Sequence, residues 1–375
     1  MYRSCLSFLG LCALVSAGAQ QTVHQVFVLN EGYYDFGGQT QVIPVSLGSF
    51  DPASGQYTEV ATIPDVRFGN DVKVDAELVY VSADSFLLKY DANSYALLDQ
   101  VVVPGIRRIA IWNDQLLVTR GEVGGLSHYF EVRDKATLDL IYTINPADGM
   151  PYSCEAVEVL NDKAYVSMNN GFDWPNYTNL VAIVDLLTES FEQTVDLGPD
   201  GYNPEHLMVS DGAVFTFNNK DYSGSSVSRI EPATASLSYT NDVAINSGCG
   251  TSVLSDGKIY FMEYSVDRLA RFDIATEQVI DTLFNGISAY GTLDDPINGV
   301  VYVSSTDYIS TGTLHIMTHD GIEIGSTTIG VAAGKMALDL RASSGIDEPG
   351  PVSVQLFPDP ADEQLQITWT EAPGP

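Results

Sequence analysis

The sequence predicts an all-β fold, a seven-bladed β-propeller closed by a C-terminal strand that completes the first blade. Three observations carry this expectation: an acidic turn that recurs at intervals of 40 to 51 residues, a short β-rich run ahead of each turn, and one strand left over at the C-terminal end.

Six alternating stretches end in an acidic residue followed three positions later by Ser or Thr. They pair Asp51 with Ser54, Asp91 with Ser94, Asp134 with Thr137, Asp185 with Thr188, Glu231 with Thr234 and Asp273 with Thr276. A carboxylate that accepts hydrogen bonds from the amides two and three residues on closes a tight turn between antiparallel strands, which accounts for both residue type and spacing. A seventh unit, residues 314–321, uses Asp320-Gly321 instead.

The second series runs in step with the turns. Val26-Phe27-Val28-Leu29, Val79-Tyr80-Val81-Ser82, Leu116-Leu117-Val118-Thr119, Ala164-Tyr165-Val166-Ser167, Val214-Phe215-Thr216-Phe217, Lys258-Ile259-Tyr260-Phe261 and Val301-Tyr302-Val303-Ser304 are all β-rich, and five of them follow an Asn-Asp, Asn-Gly or Asp-Gly turn. Further apolar stretches precede several of those turns, so each unit holds four strands in roughly 45 residues, as in a propeller blade. The first unit begins at Val26 without an innermost strand, whereas residues 334–339 follow the last blade with no unit of their own. That segment is expected to fill the gap and remove the exposed edge. A pair of sandwiches would not produce so regular an acidic turn, and no segment sustains a helical period.

The ends read differently. Arg3, an apolar stretch and Ala17-Gly18-Ala19 form a secretory signal over residues 1–19, cleaved before Gln20. The apolar run is far short of the roughly 20 residues that span a bilayer. Its removal leaves Cys154 and Cys249, expected as free thiols because a whole blade separates them. The propeller occupies residues 20–340, and a linker rich in Gly, Ser and Pro follows at 341–353. The export pathway expected is through the periplasm to the medium or the cell surface.

Composition excludes several classes of partner. With 49 Asp+Glu against 17 Lys+Arg the formal charge is −32, so no nucleic acid or anionic membrane is expected to bind. Twenty Tyr and 15 Phe argue against disorder.

The tail, residues 354–375, carries Phe357-Pro358-Asp359-Pro360-Ala361 between two alternating stretches. It resembles a truncated remnant of the C-terminal sorting domain of proteins exported by the type IX secretion system of Bacteroidota, with Asp359 where that family has Asn. The alternative is an acidic tail. The opening Val28-Leu29-Asn30-Glu31-Gly32, the recurring Tyr-Val-Ser and the acidic turns resemble the YncE-like seven-bladed surface propellers of Bacteroidota. That resemblance implies a ligand-binding surface protein, with nutrients such as corrinoids among the ligands.

Propeller geometry places the short, regular turns on one face and the long second-to-third-strand loops on the other. The long loops carry Tyr33, Asp35, Trp174, Tyr177, Tyr222, Tyr264 and Tyr308, whose rings and polar groups suit a sugar-like ligand. Arg107, Arg108, Glu155, Glu205, His206 and Tyr290 reach the central channel from the starts of innermost strands, with Asn70, Asp71, Thr251 and Lys335 at similar depth. The two arginines suit an anionic ligand, but Glu155 of the next blade is expected to neutralise one of them.

Nothing in the sequence calls for a cofactor or a metal. His315 and His319, four apart on a strand, would lie about 13 Å apart. No nucleophile elbow or Cys-x-x-Cys is present. The expectation is a non-catalytic binder of a small molecule, a glycan or a surface protein. The alternatives are a lyase-like enzyme using His206 beside Glu205 as an acid/base pair, and a structural or adhesion module.

Overall fold

Strands that read as unbroken apolar runs are buried on both faces, and strands that alternate are buried on one. The second strands follow the first pattern: Leu78–Ala83, Gln115–Arg120, Lys163–Met168 and Ala213–Asn218 are buried almost end to end. The outermost strands, such as Leu97–Val102 and Ser190–Asp196, alternate. A sheet covered by neighbours on both sides yet open at one edge is a blade, and the computed structural model shows seven of them. It describes residues 21–247, 251–266, 268–283, 288–342, 356–358 and 365–367.

Blades two to seven take four consecutive strands each, over residues 69–102, 106–144, 157–196, 204–242, 252–283 and 289–331. Blade one is composite. From the inside outward it runs Ala333–Ala342, Gln21–Asn30, Val45–Asp51 and Gln56–Ile63, so the C-terminal strand completes it as expected. Residues Val23–Leu340 form one compact unit. In the tail, Leu356–Pro358 pairs antiparallel with Leu365–Ile367. The expected signal segment, Cys249, most of the linker and the rest of the tail lie outside the described residues. No helix among the described residues is long and apolar enough to cross a membrane.

The acidic turns are built as the sequence implies, with one exception. Oδ1 of Asp91, Asp134, Asp185 and Asp273 accepts the amides two and three residues on at 2.7–3.0 Å, and Asp51 accepts Ala53 N and Ser54 Oγ. Glu231 departs because its extra methylene carries the carboxylate past the turn to Arg229 Nε at 2.8 Å. That turn is closed by Thr234 N donating to the Glu231 carbonyl. A second departure lies in the first long loop, where Tyr33–Asp35 and Thr40–Ile43 pair as a small hairpin. β-forming Tyr, Thr, Val and Ile flank Gly37-Gly38, which turns the chain.

Hydroxyls on several second strands join neighbouring blades. Tyr80 and Tyr260 hydroxyls donate to the carbonyls of Lys135 and His319, in the acidic or Asp-Gly turn of the next blade. Ser82, Thr119 and Ser304 hydroxyls donate to Arg107, Glu155 and Ala333 carbonyls at the inner rim of the next blade. Between these polar links, apolar clusters seal each seam, as where Phe27, Leu29 and Val45 meet Val72, Val79 and Val81.

Gln25 secures the closure. Buried on the second strand of blade one, it donates to Asp339 Oδ2 and to the Ala92 carbonyl, both at 2.9 Å, and accepts Ser49 Oγ and Tyr95 OH. One side chain therefore ties the N-terminal strand to the C-terminal strand and to blade two. Asp339→Ala removes the acceptor from a fully buried contact and is expected to lower unfolding free energy by about 1–3 kcal/mol with unchanged denaturant slope. Asp339→Asn, which keeps one acceptor, should lose less; urea unfolding of the full chain checks both.

Candidate functional site

The innermost strands do not run straight into the channel. Four begin with a β-bulge, between Gly69 and Asp71, Ile106 and Ile109, Pro204 and His206, and Ala289 and Gly291. An extra residue in one strand bends it and re-aims a side chain. Here the inserted residues are Asn70, Arg107 with Arg108, Glu205 and Tyr290, and all line a cavity of about 300 Å³ at the channel mouth. Glu155, Thr251 and Lys335 join them from blades four, six and one.

The charged groups are locked together. Arg107 makes a bidentate pair with Glu155, Nε to Oε2 at 2.8 Å and Nη2 to Oε1 at 3.0 Å, and its Nη1 donates to Asn70 Oδ1. Arg108 reaches the same carboxylate at 3.0 Å and also donates to the Asn70 carbonyl. Burial alone would raise the Glu155 carboxyl, but the two guanidinium groups outweigh it and hold it down at about 2. The expected internal pair is thus present and takes up both arginines.

The remaining groups are shifted toward neutrality. Burial, helped by the negative Glu155, pushes Glu205 up to about 7, although Asn219 donates to its Oε2 at 2.9 Å. Burial and the nearby Arg108 push Lys335 down to about 7. Glu31 is raised by burial and accepts the Tyr290 hydroxyl at 2.6 Å; a Cβ on Gly334 would fall 2.6 Å from its Oε1, so a larger residue there would displace this carboxyl. Below the mouth the channel continues as a cavity of about 350 Å³ that shares Arg108, Glu205, His206 and Lys335 and reaches Asp71, Lys73 and Glu158.

Aromatic rings from several blades stand around the rim. Phe172 lies under the Arg107 guanidinium at 4.9 Å, and Phe68 and Tyr222 also face the cavity. Of the sequence-derived candidates, Arg107, Arg108, Glu155, Glu205, His206, Tyr222 and Tyr290 converge on this cavity. Tyr33 and Tyr308 line a neighbouring groove instead. Tyr177 is buried between Tyr202 and Tyr222, edge-on to both, and so props Tyr222. Asp35 caps Gly37 N in the hairpin turn, while Trp174 and Tyr264 stand exposed and do not line the cavity. Glu31, Asn169 and Phe172, on the long loops, and Phe68, outside every sequence-derived candidate set, also line the cavity. Glu31 and Gly32, the latter with a left-handed φ of +70°, follow the strand Gln21–Asn30 directly, and the opening Asn30-Glu31-Gly32 motif is the sequence signal that marks them.

The molecule is a seven-bladed β-propeller with a polar, partly aromatic cavity at one end of its channel. Neither a family model nor a curated protein matches the sequence. The fold is similar to hydrazine synthase of Kuenenia stuttgartiensis, with a TM-score of 0.60 and 14% identity over 73% of this chain and 90% of that chain. It is also similar to the dihydro-heme d1 dehydrogenase NirN in complex with DHE, at TM-score 0.52 and 12% identity over 85% and 75% of the two chains. BamB of Moraxella catarrhalis gives 0.50 and 11% over 84% and 93%. At these identities the likeness is one of fold alone.

The two shifted groups give stability a defined pH dependence. Glu205 is raised from 4.5 to about 7, so the folded protein retains a proton there that the unfolded chain has released, and stability falls as pH rises through that window. Lys335 is lowered from 10.5 to about 7, so the unfolded chain holds the extra proton and stability rises between those values. Their combined contribution is least favourable near neutral pH. Denaturant unfolding at about pH 5, 7 and 9 should show Glu205→Gln flattening the falling limb and Lys335→Met the rising one.

Proposed function

We propose that this chain is an exported, cell-surface propeller that binds a saccharide at the channel mouth without transforming it. The observation that carries the reading is the cavity itself, in which residues from all seven blades meet. At about 300 Å³ it lies at the small end of ligand pockets, suited to one sugar ring or a chain end rather than a whole corrinoid. Glu31, Glu205 and Lys335 present both donors and acceptors for ring hydroxyls, and Phe172, Phe68 and Tyr222 supply flat apolar surface. The arginines serve chiefly to hold Glu155 and the bulges in place. The secretory signal over residues 1–19 and the tail's resemblance to a sorting domain support the surface location.

One observation favours a second reading, a lyase-like enzyme. His206 lines the cavity beside Glu205, a carboxyl near 7 that suits proton transfer at neutral pH.

Two experiments test these readings. Calorimetry of the full chain against a panel of mono- and oligosaccharides, with corrinoids alongside, should give saccharide binding that weakens about tenfold or more in Tyr222→Ala. Binding of corrinoids alone overturns the saccharide assignment, and glycan cleavage lost in His206→Ala replaces it with the lyase. Separately, N-terminal sequencing of protein recovered from the cell surface should begin at Gln20; an intact Met1 there overturns the export reading.

A further inference from the structure

Beside the channel mouth, on the same face, lies a second cavity of about 450 Å³ with a different lining. It runs between the blade-one hairpin and the blade-seven loop at Asp307-Tyr308-Ile309. Glu31 and Phe68 line both cavities, so the two open on either side of one shared wall. Where the mouth is charged, the groove is aromatic and aliphatic, with Tyr33, Tyr34, Phe36, Tyr308 and Ile309 along it.

Three of these side chains are unusually open for their kind: Phe36 is 66%, Ile309 60% and Tyr308 52% exposed. Exposed apolar surface that is also contiguous marks a binding site more often than a solvent face. The rings are held in place. Phe36 packs edge-on to Tyr34 at 4.9 Å, and Tyr308 edge-on to Tyr290 at 5.1 Å. Asp307 caps the amides of Ile309 and Ser310, and Thr306 Oγ1 accepts Tyr308 N. The shared wall is equally fixed: Phe68 lies 4.8 Å from the Arg67 guanidinium, which is clamped by Asp84 and Glu122. Rings already ordered lose little entropy when a ligand covers them.

We propose that this groove is a second subsite, which stacks the next rings of an oligosaccharide whose terminal ring occupies the channel mouth. The inference rests on the saccharide reading of the mouth and adds that the ligand is a chain. Continuity through Glu31 and Phe68 requires an occupant that is polar at one end and offers flat apolar faces along its length. A sugar chain does both, since each ring has a C–H face and a hydroxyl edge. A second copy of this chain is a poor occupant, because each carries a formal charge of −32.

The test uses full-length protein and two probe series of one to six rings, cello-oligosaccharides and oligogalacturonates, followed by calorimetry. Affinity in one series should rise about tenfold from one ring to three and then level off. Phe36→Ala and Ile309→Ala, each checked for an unchanged melting profile, should remove that gain while altering single-ring affinity by less than twofold. Affinity that does not depend on length, or a gain that survives both substitutions, overturns the second subsite and leaves the mouth reading standing. Absence of binding to every ring and chain overturns both. A dimer in sedimentation that Phe36→Ala dissociates assigns the groove to self-association instead.

Discussion

Ring closure is the constraint on which the rest of the molecule depends. Blade one is assembled from both ends of the propeller, and Gln25, hydrogen-bonded to Asp339, Ala92, Ser49 and Tyr95, holds the junction. The junction also builds the site. Glu31 sits just past the N-terminal strand, Gly334 and Lys335 belong to the closing strand, and Glu31 N and Gly32 N donate to the carbonyls of Ala332 and Val331. Opening the ring would separate a carboxyl and an amine that define one side of the cavity. Folding of the propeller and formation of the site are thus one event rather than two.

Within the closed ring, the arrangement of charge is costly and therefore informative. Taking two guanidinium groups and a carboxylate out of water repays itself poorly, and a well-packed apolar cluster of the same volume would serve stability as well. The Arg107, Arg108 and Glu155 cluster instead holds a polar surface rigid. Both arginines are committed to Glu155 and Asn70, and the ionisable groups of the cavity outside that cluster include those moved toward neutrality, Glu205, Lys335 and Glu31. Such groups donate or accept with little penalty for changing protonation state, which suits hydroxyl-rich ligands better than a fixed ion pair does.

The repeat was legible in the sequence because it rests on local physics. An Asp followed by Ser or Thr three residues on makes the same turn wherever it falls, and runs such as Val79-Tyr80-Val81-Ser82 are buried in any blade. The channel-mouth set was legible for a related reason: the starts of equivalent strands must reach equivalent depth. The bulges that aim Asn70, Arg107, Glu205 and Tyr290 were not legible, because a single inserted residue leaves the apolar pattern intact and shows only as a register shift. Loop aromatics were the least legible. Tyr177, Trp174 and Tyr308 have similar sequence surroundings, yet one is a buried prop, one stands in solvent and one lines a groove, because tertiary packing alone decides among these.

Unequal loops explain why the mouth has a groove on one side. Between second and third strands, blade two has only residues 84–85, whereas blade one has 31–44 and blade four has 169–179. Seven equal loops would make a symmetric collar that admits a ligand along the channel axis alone. The short blade-two loop leaves Arg67 and Phe68 lining the groove beside the blade-one hairpin, and Asp84, at that short turn, clamps the Arg67 guanidinium through two hydrogen bonds, with Glu122 of the blade-three loop adding a third. The residue pair that shortens the loop therefore also stiffens the wall between mouth and groove. From that side the fixed aromatic surface comes before the charged mouth, which is the order that the proposed oligosaccharide, with one distinct end, would need.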